Sequence, residues 1–337
     1  MMTLQMERIV WIDEMKGFLL LLVCLFHTNN SWYGLVGFMF NMPAFFFISG
    51  YLFNGTKFQD YKSFLCSKMK SLLFPYFTLS FFFLLLTPML YVPNGYGSSW
   101  MFLRSSMIDI LQGFSGPYTV PLWFVYVLFS VSVLYYSVWR VVKGIGFIVV
   151  GAIVVLLLSW YMSYYNESLP CHLDSCLISL FFFSLGHLFQ MFRGIDFLLQ
   201  IKKSKLILFD SVFFILYILG YMLDGPIDIR TCSLGENFFG FLLGTIGGVL
   251  FIFTLFFLLQ TWLRRGWIKS FFVSLSQNAL VVLTVHYWAL MILLWFYDFS
   301  RPPWFSGMAL CVEVVSVLIF IGIFKMKYLC VLIGKKQ

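Results

Sequence analysis

Asp13, Lys16 and His27 are residues that do acid–base chemistry, and they stand at helical spacing. Lys16 and His27 are eleven positions apart. At 100° per residue they point within ~20° of the same direction, ~16 Å apart along a helix. Asp13 lies ~40° from His27 on that side. One helix face would then carry an acid and a base at one end and an imidazole at the other. A neutral imidazole is the usual acceptor of a proton from an attacking hydroxyl. The plainer alternative is an Asp13–Lys16 pair near the lipid headgroups and an interfacial His27; spacing leaves both open.

Other polar residues interrupt apolar runs. His286 follows Ser274-Leu275-Ser276-Gln277-Asn278, and Glu313 stands inside the last long apolar run. Each is either a hydrogen-bond partner between helices or part of a site. His187 beside Gly186 reads as packing. Cys171-His172-Leu173-Asp174-Ser175-Cys176 gathers metal-ligand types in one loop. Structural zinc needs a second paired element, and none exists, so no metal is expected. A disulfide within that loop and two free thiols both remain open. The chain has no dinucleotide glycine motif, no phosphate-loop lysine, no nucleophile elbow and no His-Glu-x-x-His.

The elements that must position these residues follow from composition. Of 337 residues 61% are hydrophobic, 11% are charged, and 43 are Phe. A soluble domain is about 45–50% apolar and about 25% charged. A water-soluble enzyme, a disordered chain and a nucleic-acid binder are excluded. Membrane spans of about 20 residues are expected at 9–29, 33–53, 71–92, 120–139, 145–162, 176–192, 206–223, 237–260, 275–297 and 305–324. The chain thus reads as an all-α integral membrane protein of about ten transmembrane helices, one domain over 1–337. The 93–119 connection is expected to form a lid or a short interfacial helix. No internal repeat of the kind many transporters carry is visible.

Charge orients these spans. With the N-terminus cytoplasmic, 19 of the 22 Lys and Arg residues fall on the inner side, leaving Arg104, Arg230 and Arg301 outside. Such a split supports ten spans with both termini cytoplasmic in a cell (inner) membrane. The first span is unusual. Its uninterrupted apolar run, Gly17 to Phe26, covers ~15 Å, half of a ~30 Å hydrocarbon core. Asp13, Glu14 and Lys16, or His27 to Ser31, must therefore lie at bilayer depth. These charges, and the lack of a small-residue cleavage site, argue against a signal peptide.

Arg8-Ile-Val-Trp-Ile-Asp13-Glu-Met-Lys16-Gly17, followed by an apolar run and His27, resembles the opening of the acyltransferase 3 family of integral-membrane O-acyltransferases. Asn41-Met-Pro43-Ala-Phe-Phe-Phe-Ile-Ser49-Gly50-Tyr51 resembles that family's Met-Pro-x-Phe-Phe-x-x-Ser-Gly stretch. Lys68-Met-Lys70-Ser-Leu-Leu-Phe-Pro75-Tyr76, Leu122-Trp123-Phe124, Leu169-Pro170 with Asp174 and Gly186, and the Ser276-to-His286 run follow in the family's order. Lys in place of Arg at Lys16 resembles the fucose 4-O-acetylase-like branch. Lys68 and Ser71 stand where many members carry two Arg, which removes a forked grip on phosphate.

The resemblance implies transfer of an acyl group, usually acetyl, from cytoplasmic acyl-CoA to a hydroxyl of a cell-surface or lipid-linked glycan. Acyl-CoA would be a substrate, with no tightly bound cofactor. His27 is the expected general base, with Asp13 and Lys16 at the cytoplasmic end of the donor channel. Lys16, Lys68, Lys70 and Tyr76 are expected on the donor. Asn29, Asn30, Trp32, Trp123, His286 and Glu313 are expected on the acceptor. The partners are acyl-CoA, a glycan or glycolipid and the bilayer, and no nucleic acid. Two rival classes remain: a polytopic transporter or flippase relaying protons through its intramembrane His and Glu, and a non-catalytic scaffold.

Overall fold

The computed structural model describes residues 9–28, 39–86, 99–142, 144–260, 266–296 and 305–324. Among the described residues every extended element is a helix, and the one β-type pairing is an isolated bridge between Asp228 and Ser233. In chain order the helices are α1 Val10–His27, α2 Asn41–Tyr51, α3 Tyr61–Lys68, α4 Phe74–Leu86, α5 Ser99–Leu111, α6 Trp123–Val141 and α7 Ile145–Tyr164. They continue with α8 Leu173–Met191, α9 Gly194–Gln200, α10 Lys203–Asp224, α11 Phe238–Leu259, α12 Trp267–Gln277, α13 Ala279–Phe296 and α14 Phe305–Ile323.

Seven helical stretches are long and apolar enough to cross a membrane, and an eighth is added if α12 and α13 are counted as one broken span. This is a multi-pass membrane protein. The two further expected spans are α1 and α2. α1 carries Asp13, Glu14 and Lys16 within its 18 residues, too much charge for an ordinary span. α2 is 11 residues long, and positions 33–38 of its expected span lie outside the described residues. The expected ninth span, 275–297, is not one straight helix. α12 and α13 meet at an 89° bend at Asn278. The Asn278 amide donates to Ser274 O at 2.8 Å, so it turns back onto the preceding helix.

Prolines shape two other elements. Pro43 lies in the first turn of α2, where its missing N–H leaves no gap in the helix ladder. Pro75 follows a π-helical turn, Met69–Leu73, which joins α3 to α4 without a break. A proline ring presses on the carbonyl four residues back, here Ser71, and a widened turn relieves that clash. The expected lid region contributes α5.

The interior is built around α8, whose span is 72% buried, while the spans of α7 and α10 are only 17% buried and face outward. Close packing depends on small residues, as lipid-embedded helices require. A Cβ on Gly50 of α2 would overlap Phe183 O of α8, and one on Gly186 of α8 would overlap Phe47 O of α2. These two glycines bring the backbones of α2 and α8 into direct contact. Gly17 does the same for α1 against Phe272 of α12.

Candidate functional site

α1 presents one stripe to the interior. Asp13, Lys16 and Leu20 line one cavity, and Val23 and His27 line the next. These positions repeat every three or four residues, the period of one helix face. The cavity beside His27 measures about 340 Å³ and the one beside Asp13 and Lys16 about 250 Å³. A third cavity of about 340 Å³ lies beside Lys57 and Lys68. The acid, the amine and the imidazole therefore do share a face.

His27 ends α1. Its ring centroid lies 5.4 Å from that of His286 and 5.0 Å from that of Tyr287, both on α13. His286 is fully buried, and its Nδ1 lies 2.5 Å from Val282 O, one turn earlier. A carbonyl only accepts, so Nδ1 carries the proton and Nε2 keeps a free lone pair. Nε2 is buried and has no partner among the described residues. Two imidazoles from opposite ends of the chain thus meet, one of them with a fixed tautomer.

The rest of the His27 cavity is suited to a polar ring. Trp123 supplies an aromatic face, and Asn41, Asp228 and Arg230 supply polar groups. Asn41 is 2% exposed, and among the described residues neither its Nδ2 nor its Oδ1 has a partner. Such an amide costs about 1–3 kcal/mol unless something else satisfies it. Arg230 is carried on a tight hairpin. Asp228 and Ser233 exchange backbone hydrogen bonds at 2.8 and 2.9 Å, and Ser175 Oγ donates to Arg230 O at 2.7 Å. The Arg230 guanidinium approaches Asp228 Oδ2 at 3.6 Å, which leaves other donors of its fork for a ligand.

Toward the other end of α1, Lys16 Nζ lies 3.9 Å from Asp13 Oδ1, and Ser276 Oγ donates to Asp13 at 3.4 Å. The pair lines a cavity together with Ser276 and Gln277 at the α12–α13 bend. Lys68 lines the third cavity with Lys57, Asn54 and Ser71. Its ammonium also stands 5.7 Å over the Phe64 ring.

Several expected site residues lie elsewhere. Lys70 is exposed at the π-helical turn and lines none of these cavities. Tyr76 is fully buried, and its hydroxyl donates to Ile110 O at 2.9 Å and accepts from Ser115 N at 3.1 Å. It joins α4 to the α5 segment and offers nothing to a donor. Glu313 is fully buried, its carboxyl oxygens have no partner among the described residues, and it lines none of the three cavities. Asn29, Asn30 and Trp32 lie outside the described residues. Cys171 and Cys176 are free thiols. His187 is a packing residue whose Nδ1 is bonded to the Tyr135 hydroxyl.

Asn41, Asp228, Arg230 and Tyr287 are absent from the expected set. Signals for three of them exist: Asn41 opens the Met-Pro stretch, Arg230 is among the three basic residues that the charge split leaves outside, and Tyr287 adjoins His286. No curated protein and no solved structure matches the chain. A family model described as an acyltransferase domain, that of the acyltransferase 3 family, matches residues 9–325, essentially the whole chain. The chain belongs to the acyltransferase 3 family.

Proposed function

We propose that this membrane acyltransferase moves an acyl group, most readily acetyl, from cytoplasmic acyl-CoA to a hydroxyl of a cell-surface or lipid-linked glycan. The observation that carries this reading is the His27 cavity, where His27 shares one space with Trp123 and the buried amide of Asn41, which has no partner among the described residues. An aromatic face and polar groups are what a sugar ring needs. The donor side rests on Lys16, Lys57 and Lys68, which line the two cavities leading away from His27. Cationic side chains there neutralise a phosphorylated donor. The reading includes ten spans with both termini cytoplasmic, from the charge split.

The chemistry balances on one residue. The acceptor hydroxyl gives its proton to a ring nitrogen of His27 as its oxygen attacks the thioester carbonyl. The C–O bond forms and the C–S bond breaks. The proton then passes from the imidazolium to the departing thiolate, which returns His27 to its neutral form. His286 supports this step, because its Nε2 is an acceptor on the neighbouring ring. Asp13 and Lys16 hold the inner part of the donor path.

Surface glycans from cells with and without the chain test the reading by mass. An acyl increment that requires both the chain and acyl-CoA supports it, and identical glycans sink it. A transporter reading draws on Glu313, an unpaired buried carboxyl in mid-helix. It predicts a change in where the glycan is found and none in its mass.

A further inference from the structure

The three cavities are neighbours that share a few lining side chains. Ser49 and Leu128 line both the Lys57–Lys68 cavity and the Asp13–Lys16 cavity. Met42 lines both the Asp13–Lys16 cavity and the His27 cavity, and among the described residues it alone does so. α2 is otherwise closed. Of its 11 residues, only Met42 and Ser49 are not buried. They stand seven positions apart on one face, with Phe45 between them on the same stripe and lining the same cavity. The area α2 keeps open is therefore area turned toward the cavities. The side chain common to the lysine-side cavity and the His27 cavity is one unbranched thioether.

We propose that Met42 is a specificity-determining residue, a collar whose width decides which acyl groups reach His27. The inference rests on the proposal that the donor enters from the lysine side and the acceptor lies beside His27. A donor threaded from inside brings its acyl group through first, so the acyl group must pass the Met42 side chain to meet the hydroxyl. A linear acyl chain is no wider than the arm that follows it. A branched one is wider at the carbon next to the carbonyl. Met is flexible and fills irregular gaps, so it closes around a narrow chain and resists a broad one. The selection falls on width and not on length.

The test uses membranes from cells that express the full chain and retain their own glycan. Acetyl-CoA, butyryl-CoA and isobutyryl-CoA are supplied in turn, and the mass of the acyl group on the glycan is read. Butyryl and isobutyryl contain the same atoms, so they separate length from width. Met42→Ala should raise the isobutyryl-to-butyryl ratio about 10-fold or more, the scale on which a pocket discriminates a single carbon. Met42→Trp should stop transfer of all three while the protein accumulates normally. Met42→Leu, of similar volume, should behave as the parent. An unchanged isobutyryl-to-butyryl ratio in Met42→Ala overturns the proposal, as does acetyl transfer at the parent rate by Met42→Trp. His27→Gln is run beside them. Acylation that persists in that variant removes the base assignment while leaving the Met42 ratios to be read. Absence of any acyl-CoA-dependent mass in the parent overturns the acyltransfer reading and the collar together.

Discussion

His27 and His286 come from opposite ends of the chain and form one imidazole pair. If His27 is the base, His27→Gln should reduce glycan acylation by about 10²–10⁴-fold. The protein should still insert and accumulate, because His27 occupies the last turn of α1, where no following turn depends on it. His27→Gln acylating at near the parent rate would transfer the base role to His286. Asn41 permits a second test that separates function from folding. Its amide is buried without a partner, so Asn41→Leu should leave stability unchanged or raise it by about 1 kcal/mol. If the amide holds the acceptor, the same variant should lose transfer through a raised acceptor KM, with donor KM unchanged. Thermal unfolding in detergent, set beside glycan acylation, gives both readings. His27 was legible from sequence because a helix converts spacing into direction. Asn41 and Arg230 were not, because their places in the cavity depend on how α2 and the Asp228–Ser233 hairpin dock, and no local periodicity encodes that docking.

At the scale of elements, the proposed chemistry sits on α1, whose interior stripe lines two of the cavities. The stripe from Asp13 through Lys16 to His27 could be read directly from the sequence. The bend between α12 and α13 could not, since 275–297 is apolar enough for one span; in hindsight the Ser274-to-Asn278 run marks the break through side chains that bond back to the helix. That bend brings Ser276 to Asp13. Lys16→Ala should therefore weaken use of the acyl donor, read as a raised acyl-CoA KM, while Lys16→Arg keeps it because the charge remains. An unchanged donor KM in Lys16→Ala would reduce the lysine to a partner of Asp13. The contact between α2 and α8 gives a purely structural prediction. Gly186→Ala places a methyl against the Phe47 carbonyl, where no flexible side chain can yield. Overpacking of this kind costs about 1–3 kcal/mol. It should lower the midpoint of thermal unfolding and the accumulated protein, with activity per folded molecule retained if the α1 stripe is undisturbed.

For the molecule as a whole, orientation decides whether the three cavities run from donor to acceptor. The argument is electrostatic: in the proposed topology α1 and α2 cross the bilayer as a pair, with no Lys or Arg in residues 28–40 between them, and 19 of the 22 basic residues share one side. Asp13, Glu14 and Lys16 lower the hydropathy of α1, the helix to which the proposed topology gives the first crossing. The cysteines provide the test. Cys66 is exposed in α3 on the inner side of the proposed topology, and Cys171 is partly exposed in the loop before α8 on the outer side. In variants that keep a single cysteine, a membrane-impermeant maleimide should label Cys171 in intact cells. Cys66 should be labelled only after the membrane is opened. Cys232 serves as the control. Burial, and then the nearby Asp174 charge, push its thiol up to about 12. It is 2% exposed, so at neutral pH it should stay unlabelled in both conditions while the protein is folded. Labelling of Cys66 from outside would invert the lysine cavities relative to the cytoplasm. The donor would then have to reach His27 from the opposite face, and the proposed direction of transfer would fall.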